Sequence, residues 1–231
     1  YNLEPGSKEL TALNYYTNEE ITIPLDPTQT PGENAQRYFA KYNKQKRTFE
    51  ALTELIQETA DDIQYLESIS NALDIALSEA DLAQIKEELM QSGYIRRKHT
   101  KKKVKLTSKP MHYISSDGYD MYVGKNNLQN EELTFSFANG NDWWFHAKGA
   151  PGSHVIVKSG GDELPDRTFE EAGRLAAYYS KNRGADKVEI DYIQKKHVKK
   201  PNGAKPGFVV YYTNYSLVID SDISNIKNVQ D

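Results

Sequence analysis

Residues 142–158 read DWWFHAKGAPGSHVIVK, and this stretch holds both tryptophans and two of the five histidines of the 231-residue chain. Apolar and aromatic residues flank a Gly/Pro-rich centre on both sides, a pattern that predicts two β-strands joined by a turn. Such a hairpin brings aromatic rings, cations and backbone N–H groups close together. The stretch therefore has the composition of a binding site.

Trp143 and Trp144 are neighbours, so within one strand their side chains point to opposite faces. One ring then belongs to the core, and only the other can stack on a nucleic-acid base. Trp144 shares its face with Asp142, His146 and Lys148. Because that face is rich in polar side chains, the sequence favours Trp144 as the surface ring.

The turn at Gly149–Ser153 could offer successive backbone N–H groups and the Ser153 hydroxyl to a phosphate, together with the Lys148 ammonium, as anion nests do. The alternative is an ordinary hairpin turn. A metal site at His146 and His154 is not favoured, because their spacing matches no usual zinc pattern and the chain has no Cys. A Ser–His–Asp triad is not favoured either, because Ser153 and His154 point to opposite faces of a strand. We expect no cofactor and no enzymatic activity.

From Pro110 onward, short β-prone runs alternate with turn signals and two helical stretches, which predicts an α+β domain with a mainly antiparallel sheet. The helices are predicted at Asn126–Phe137 and at Phe169–Lys181, the second capped by Asp166 or Thr168. The predicted strands are Met111–Ser115, Asp120–Val123, Trp143–Ala147, His154–Lys158, Lys187–Ile193, Phe208–Thr213 and Ser216–Asp220.

The first part of the chain predicts a strand pair at Ala12–Tyr16 and Glu20–Pro24, followed by a helix that starts near Pro31. This helix is long and carries a heptad repeat, interrupted by Gln45 and Thr59. Five heptads span roughly 55 Å at 1.5 Å per residue, so we expect a projecting coiled-coil arm. The repeat consists of Ala35, Tyr42, Phe49, Ile56 and Ile63, with Tyr38, Leu52, Leu66 and Leu73 at the companion position.

An amphipathic helix of this length needs a partner for its apolar stripe. The helical pattern at Glu79–Gln91 is about three turns long and covers only a small part of it. Since the chain begins at Tyr1 rather than Met, we expect a fragment whose partner helix lies upstream. Self-association of two copies through the seam is one alternative, and a plain helical bundle is another.

Charge divides the chain into three zones. Residues 1–95 carry seven Lys/Arg against seventeen Asp/Glu, residues 96–109 carry eight cations and no anion, and residues 110–231 are nearly balanced. The basic run, which includes Lys101, Lys102 and Lys103, indicates either contact with a polyanion or a solvated linker. No apolar run approaches the roughly 20 residues of a membrane span. The lack of Cys excludes disulfides and fits a reducing compartment.

A second basic cluster lies on a Pro/Gly-rich connection between two predicted strands. Its cations could clamp a sugar-phosphate backbone, with Tyr192, Tyr211 and Tyr212 as aromatic neighbours. The alternative is a solvated loop. The cluster consists of Lys195, Lys196, His197, Lys199, Lys200 and Lys205.

Four separated motifs, in order, resemble the NFACT-R domain, which ends the bacterial RqcH proteins and their eukaryotic relative NEMF. The bacterial proteins were historically called FbpA- or PavA-like fibronectin-binding proteins. Residues 34–44, NAQRYFAKYNK, resemble the coiled-coil middle region of the same proteins, so the resemblance covers essentially the whole chain. The four motifs are GKNNLQN at 124–130, DWWFH at 142–146, PGSHV at 151–155 and KKPNGAKPG at 199–207.

The resemblance implies a coiled-coil arm with an irregular tip at 1–95, a basic linker at 96–109 and an NFACT-R domain at 110–231. It also implies a cytoplasmic function in ribosome-associated quality control. Such proteins bind large ribosomal subunits, at rRNA and the stalk-base region, when peptidyl-tRNA obstructs them. They recruit tRNA and support template-free C-terminal alanine tailing. The older name implies an alternative, a cell-surface adhesin that binds fibronectin.

Two positions depart from the family pattern. Lys125 stands where we expect Arg, which replaces a forked guanidinium by a point charge, and Glu131 stands where we expect Asp. Motifs and charge together give the predicted RNA-binding residues. These are Lys101, Lys102, Lys103, Lys125, Asn126, Trp144, His146, Lys148, Ser153, His154, Lys196, Lys199, Lys200 and Lys205.

Overall fold

The computed structural model describes residues 3–4, 6–96 and 108–229. The chain forms two compact units, Tyr1–Asp61 and Asp62–Asp231. A long helix, three shorter helices and antiparallel sheets make up the described part, which confirms the predicted α+β class. The predicted division at residues 96–109 stays a prediction.

The first unit begins with an antiparallel hairpin of β1 (Glu9–Asn14) and β2 (Glu19–Pro24). The turn places Asn18 in the left-handed region, at φ 56°, which Asn tolerates better than most residues. Helix α1 then begins at Pro31, as predicted. A capping box supports this start, because the Glu33 carboxylate accepts the Thr30 N–H and the Thr30 hydroxyl accepts the Glu33 N–H.

Helix α1 runs without a break from Pro31 to Ile75, 45 residues, which confirms the predicted long helix. The heptad positions in its first two thirds are exposed: Tyr42 is 58% exposed, Phe49 71% and Ile56 68%. Their apolar stripe is therefore uncovered by the described residues of this chain. The coiled-coil partner stays a prediction.

Helix α2 (Glu79–Gln91) lies where the sequence predicts it, and a capping box between Ser78 and Asp81 fixes its start. Within the second unit, the last turns of α1 pack on α2. Tyr65, Ile69 and Ala72 of α1 are buried with Ile85 of α2 in a small apolar cluster. The predicted heptad residues at this end stay exposed, Ile63 at 56%, Leu66 at 43% and Leu73 at 49%, so α2 packs on a different face of α1 from the predicted stripe.

The remainder of the second unit contains a seven-stranded antiparallel sheet in the order β8-β7-β5-β6-β4-β3-β9. Six predicted strands agree with it to within one residue at most ends. The prediction of a strand at Phe208–Thr213 is wrong: only an isolated bridge between Lys199 and Val210 forms there. The strands are β3 (Met111–Ile114), β4 (Asp120–Val123), β5 (Trp143–Ala147), β6 (Val155–Val157), β7 (Val188–Gln194), β8 (Tyr215–Ile219) and β9 (Lys227–Asn228).

Two helices cover the two faces of this sheet. Helix α4 (Asp166–Tyr178), starting three residues before the predicted Phe169, packs through Ala172, Leu175 and Ala176 on one face. On the other face lie α3 (Asn127–Glu132) and the π-helical turn Leu133–Phe137 that continues it. A second buried cluster, which includes Leu133 and Trp144, forms there. In the described ranges, no helix combines the length and the apolar character that crossing a membrane requires.

Candidate nucleic-acid interface

The sheet face that carries α3 contains a cleft of about 190 Å³, which we call the imidazole cleft. Its walls come from the turn between β5 and β6, from α3, from α1 and from the segment after Gly207. The cleft lies entirely within the second unit. The residues lining it include Gln64, Ser68, Asn127, Asn130, His146, Gly149, Gly152, His154 and Tyr211.

The turn that forms one wall is fixed to the end of α4. Gly149 adopts φ 63°, which lets the chain leave β5 sharply. Gly152 forms a bridge with Ser180, and the Lys181 N–H donates to the Pro151 carbonyl at 2.9 Å. A side chain on Gly152 would have its Cβ 3.0 Å from the Ser180 Cβ. The turn is therefore shaped by its packing as well as by its sequence.

The prediction that Trp144 is the surface ring is wrong. Trp144 is fully buried, whereas Trp143 is only partly buried. Leu133 of the π-helical turn and Tyr211 cover the Trp144 ring, and the Trp144 and Tyr211 ring centroids lie 5.0 Å apart, although Lys148 on the same face is exposed. Trp144 consequently supports the cleft from below and cannot stack on a base.

His146 and His154 lie side by side, with 5.4 Å between ring centroids and an interplanar angle of 89°. Burial lowers the pKa of His146 to about 4, although a hydrogen bond with the backbone of Gly152 opposes the shift. The pKa of His154 lies well below its ordinary value, first because of burial and second because of His146. Both imidazoles are therefore uncharged at neutral pH. Thr134 fixes His154 through a hydrogen bond of 2.8 Å to Nδ1.

Ser153 does not present its groups to the surface in the manner of an anion nest. Its N–H donates to the Tyr179 carbonyl at 2.9 Å, and its hydroxyl is buried without a hydrogen-bond partner among the described residues. Asp142 bonds Lys158 and the Asn139 N–H. The described hydrogen bonds thus do not connect Ser153, a histidine and Asp142 as a catalytic triad would require. Burial of Ser153 gives no support to its predicted phosphate contact, which stays a prediction.

Lys125 and Asn126 have structural partners. The Lys125 ammonium, only 11% exposed, lies 3.2 Å from Asp81 Oδ1. Asn126 is buried and caps α3 by accepting the Gln129 N–H, while its amide donates to Gln84 at 2.8 Å. These contacts connect α3 to α2. In this arrangement both side chains are held by these partners, and their predicted contact with RNA stays a prediction.

Three more of the predicted cations pair with carboxylates at the surface. Exposed pairs of this kind contribute no more than about 1 kcal/mol, so a phosphate can displace the carboxylate. The Lys205 ammonium also lies 4.5 Å from the centroid of the Tyr65 ring. The pairs are Lys148–Glu189, Lys200–Glu131 and Lys205–Asp62.

Lys196 and Lys199 are exposed, and no ion pair involving them is found within the described ranges. Lys199 is held next to the imidazole cleft, because its backbone N–H donates to Val210 at 3.0 Å and its carbonyl accepts from Val210 at 2.8 Å. Val209 and Tyr211, on either side of Val210, line the cleft. Lys199 therefore lies at the rim of the cleft, whereas Lys196 lies near the start of β5, where its N–H donates to the Gly140 carbonyl at 3.0 Å. Lys101, Lys102 and Lys103 lie outside the described residues.

The sequence did not reveal the contributions of α1 and α3 to the cleft. Gln64, Ser68, Asn127 and Asn130 enter its lining only through folding, since α1 precedes the NFACT-R-like motifs by many residues. One signal existed. Gly207 adopts φ 81° and approaches Asn127 so closely that a Cβ there would be 2.9 Å from the Asn127 Cβ. Glycine at this position allows the segment after it to close over α3.

Among the residues that the structure describes, there is no group of three or more His, Cys, Asp or Glu side chains placed to hold a metal ion. The two histidines of the cleft have Thr134, Gly152 and each other as neighbours. The cleft is thus an uncharged aromatic and amide-lined site with cations on its rim. These features suit an unstacked base next to a phosphate backbone.

Comparison with known families is consistent with this site. Residues 1–108 match the family of NFACT N-terminal and middle domains, and residues 109–213 match the NFACT protein RNA binding domain. This chain belongs to the NFACT family. The imidazole cleft and Lys196 and Lys199 all lie in the NFACT RNA-binding domain, apart from the α1 residues that line the cleft.

Curated NFACT relatives share much of the sequence. The Rqc2 homolog RqcH of Streptococcus pneumoniae serotype 2 (strain D39) is 46% identical over 228 residues, which are 98% of this chain and 41% of that protein. The Rqc2 homolog RqcH of Bacillus subtilis (strain 168) is 41% identical over 233 residues, 98% of this chain and 40% of that protein. The chain spans about two fifths of the length of these relatives.

A solved NFACT structure has the same fold. The C-terminal part of the fibronectin/fibrinogen-binding protein from Streptococcus suis superposes with a TM-score of 0.78 at 43% sequence identity. The match covers 86% of this chain and 80% of that one. These comparisons confirm the resemblance that the four motifs indicated.

Proposed function

We propose that this chain is the RNA-binding portion of a ribosome-associated quality control factor. In the intact protein it binds tRNA and large ribosomal subunits obstructed by peptidyl-tRNA, and it supports template-free alanine tailing of the stalled chain. The observation that carries the proposal is the match of residues 109–213 to the NFACT RNA-binding domain, combined with 41–46% identity to RqcH proteins.

The site suggests how RNA would be held. Lys199 contacts a phosphate next to the imidazole cleft, Lys196 contacts one further along the backbone, and Lys200 exchanges Glu131 for a phosphate. Such contacts position a sugar-phosphate backbone without reading its sequence. Tyr211 and the two neutral imidazoles then accept a base that has left its stack. Neutral rings suit this role, because a base brings little charge and a buried imidazolium would need a carboxylate nearby.

Co-sedimentation of the chain with purified large ribosomal subunits, with and without peptidyl-tRNA, tests the proposal. We expect pelleting that depends on peptidyl-tRNA and that weakens strongly between low and physiological salt, as counterion release requires. The Lys196→Glu/Lys199→Glu variant should pellet less than the parent chain. Lys227→Glu is the matched control, because Lys227 is exposed on β9 at the far edge of the sheet.

Three outcomes would speak against this assignment. Equal pelleting of the double variant and the Lys227→Glu control would show that Lys196 and Lys199 do not contribute to the interface. Pelleting without any dependence on peptidyl-tRNA would reduce the proposal to general RNA binding. Failure to pellet at either salt concentration would assign the affinity to parts of the longer relatives that this chain does not contain.

A second candidate function is binding to fibronectin, which the name of the Streptococcus suis structure attributes to that protein. Strand β8 is an edge strand of the sheet, and an extended segment could pair with it. Backbone pairing of this kind should depend weakly on salt. Binding of immobilised fibronectin that persists at high salt would support this candidate, and its absence would leave RNA binding alone.

A further inference from the structure

A second cleft, which we call the aromatic cleft, lies on the opposite face of the sheet, beside the start of α4. It encloses about 430 Å³. Trp143 and Tyr192 form its floor, and Phe169 and Tyr215 stand at its sides. The Trp143 ring contacts the Phe169 ring edge-on at 4.9 Å between centroids, and the Tyr192 and Tyr215 rings stack at 5.5 Å.

The rim of this aromatic cleft is acidic. Asp162, Glu163 and Asp166 line it, all three are exposed, and no ion pair is found for them among residues 3–4, 6–96 and 108–229. Burial raises the pKa of Tyr192, and the neighbouring Tyr215 and the Asp166 carboxylate raise it further. The Asp166 carboxylate thus disfavours a further negative charge in the cleft.

Aromatic faces and carboxylates together select a cation. The negative face of an aromatic ring attracts ammonium and guanidinium groups, and Arg makes such contacts more often than Lys. Unpaired carboxylates at the rim add attraction for a cation and repel a phosphate. No cation lies over Trp143, Tyr192 or Tyr215 within the described part of the chain. A nucleic acid is thus a poor occupant of this cleft.

We propose that the aromatic cleft binds a basic protein segment, which lays one arginine side chain against the Trp143 and Tyr215 rings, whose centroids lie 6.4 Å apart. The three carboxylates exceed the charge of a single guanidinium, so they suit a segment with further cations on either side. Tyr215 is the first residue of the edge strand β8, and an extended main chain can follow that strand out of the cleft. This protein-binding site is separate from the proposed RNA-binding face and does not depend on it.

Fluorescence anisotropy of a labelled heptapeptide of alternating glycine and arginine tests the proposal with the whole chain. The citrulline version of the peptide is the uncharged control, since citrulline keeps the shape of arginine without its charge. We expect the arginine peptide to bind and the citrulline peptide not to bind. Tyr215→Leu removes a ring without changing charge, and Glu163→Gln removes one rim charge without changing the packing. Each should weaken binding by roughly threefold to tenfold.

Glu170→Gln is the matched charge control, because Glu170 is exposed on α4 and does not line the cleft. It should bind the peptide as the parent chain does. Unchanged binding by Tyr215→Leu, or equal binding of the citrulline peptide, would overturn the proposal. So would a Tyr215→Leu variant that loses ribosomal-subunit pelleting while keeping the peptide, because that result would assign the cleft to RNA. Thermal unfolding of each variant verifies that it is folded.

Discussion

The imidazole rings of His146 and His154 meet edge to face at 5.4 Å inside the imidazole cleft, and both are uncharged at neutral pH. Two strands place them there: His146 ends the face of β5 that carries Trp144, and His154 immediately precedes β6. A positive charge on one ring would disfavour protonation of the other. Their closeness therefore acts together with burial to keep both rings neutral.

Stability should therefore fall in acid through this pair. The pKa of His146 is about 4 in the folded chain against an ordinary 6.5, so its contribution is complete above about pH 6.5 and is lost as the pH falls towards 4. The loss is about 1.4 kcal/mol per pH unit in that window. Thermal unfolding at pH 7.5 and pH 5 should show a smaller acid loss for His146→Gln than for the parent chain. His197→Gln, at an exposed position, should behave like the parent; equal slopes in all three would refute the assignment.

The two tryptophans should differ in solvent access. With Trp143→Phe, the remaining Trp144 should emit at short wavelength and resist quenching by iodide, because its ring is fully buried. With Trp144→Phe, the remaining Trp143 should be quenched more readily. Iodide titration of the two variants measures this difference directly. Strong quenching of Trp144 would show that the face covered by Tyr211 opens in solution.

Lys196 and Lys199 should contribute to the salt dependence of RNA binding. Each phosphate contact accounts for a change of about 0.7 to 0.9 in the slope of log K against log salt. Lys196→Gln and Lys199→Gln should each reduce the slope by about that amount. Lys125→Gln should leave the slope unchanged while lowering stability, because its ammonium is committed to Asp81. Filter binding of tRNA over a salt series separates these outcomes; a reduced slope for Lys125→Gln would place Lys125 at the interface.

Glu88 of α2 is fully buried, and burial raises the pKa of its carboxyl. It accepts hydrogen bonds from the Tyr65 hydroxyl at 3.0 Å and from the Asn127 amide at 2.9 Å. A raised carboxyl pKa gives stability that is present in acid and lost as the pH rises through the folded-state pKa. Glu88→Gln should therefore raise the melting temperature at pH 7.5 relative to the parent and lose this advantage near pH 4.5. Glu132→Gln, at an exposed position, serves as the control; if it gained equally, the effect would not come from burial.

Gly124 has no room for a side chain. A Cβ there would lie 3.0 Å from the Asn130 backbone nitrogen and would clash with the Asn130 side-chain oxygen. That oxygen accepts the His154 N–H at 2.9 Å, so the clash would also disturb the cleft. Gly124→Ala should cost about 1–3 kcal/mol in the free energy of unfolding. Gly140→Ala should be nearly neutral, because its Cβ would be 3.6 Å from the nearest side-chain atom. Urea unfolding of the two variants compares them.

Short-range sequence patterns predicted most of the fold. The heptad of α1, the helical pattern of α2 and the aromatic β-prone run of β5 are short-range signals, and each element appears where those signals predict it. The strand predicted at Phe208–Thr213 failed because Gly207 turns the chain over Asn127, a contact between segments 80 residues apart. The prediction that Trp144 is the surface ring was wrong for a similar reason. Polar neighbours on a strand indicate a surface only when no other element covers them, and the covering residues come from α3 and Tyr211.

The same limit applies to the predicted site: composition identified its cations, but not their tertiary contacts. Cationic residues on the connection after β7 were identified by composition, and of these Lys199 lies at the rim of the imidazole cleft. Composition could not show that Lys125 faces Asp81 or that Lys205 faces Asp62, because the acidic partners belong to α2 and α1. Charge counts along the sequence report which ions are present. Which of them are already neutralised depends on the tertiary structure.

The pairing of lysines with carboxylates has a consequence for how the molecule would behave in a cell crowded with RNA. Every phosphate that reaches Lys148, Lys200 or Lys205 must first release Glu189, Glu131 or Asp62, and the net charge of −4 repels nucleic acid at a distance. Casual encounters would be brief. Only an RNA surface that contacts several of these lysines at once would offset the cost of displacing their carboxylates. Binding to other RNA would therefore stay weak, while an RNA that makes all the contacts is retained.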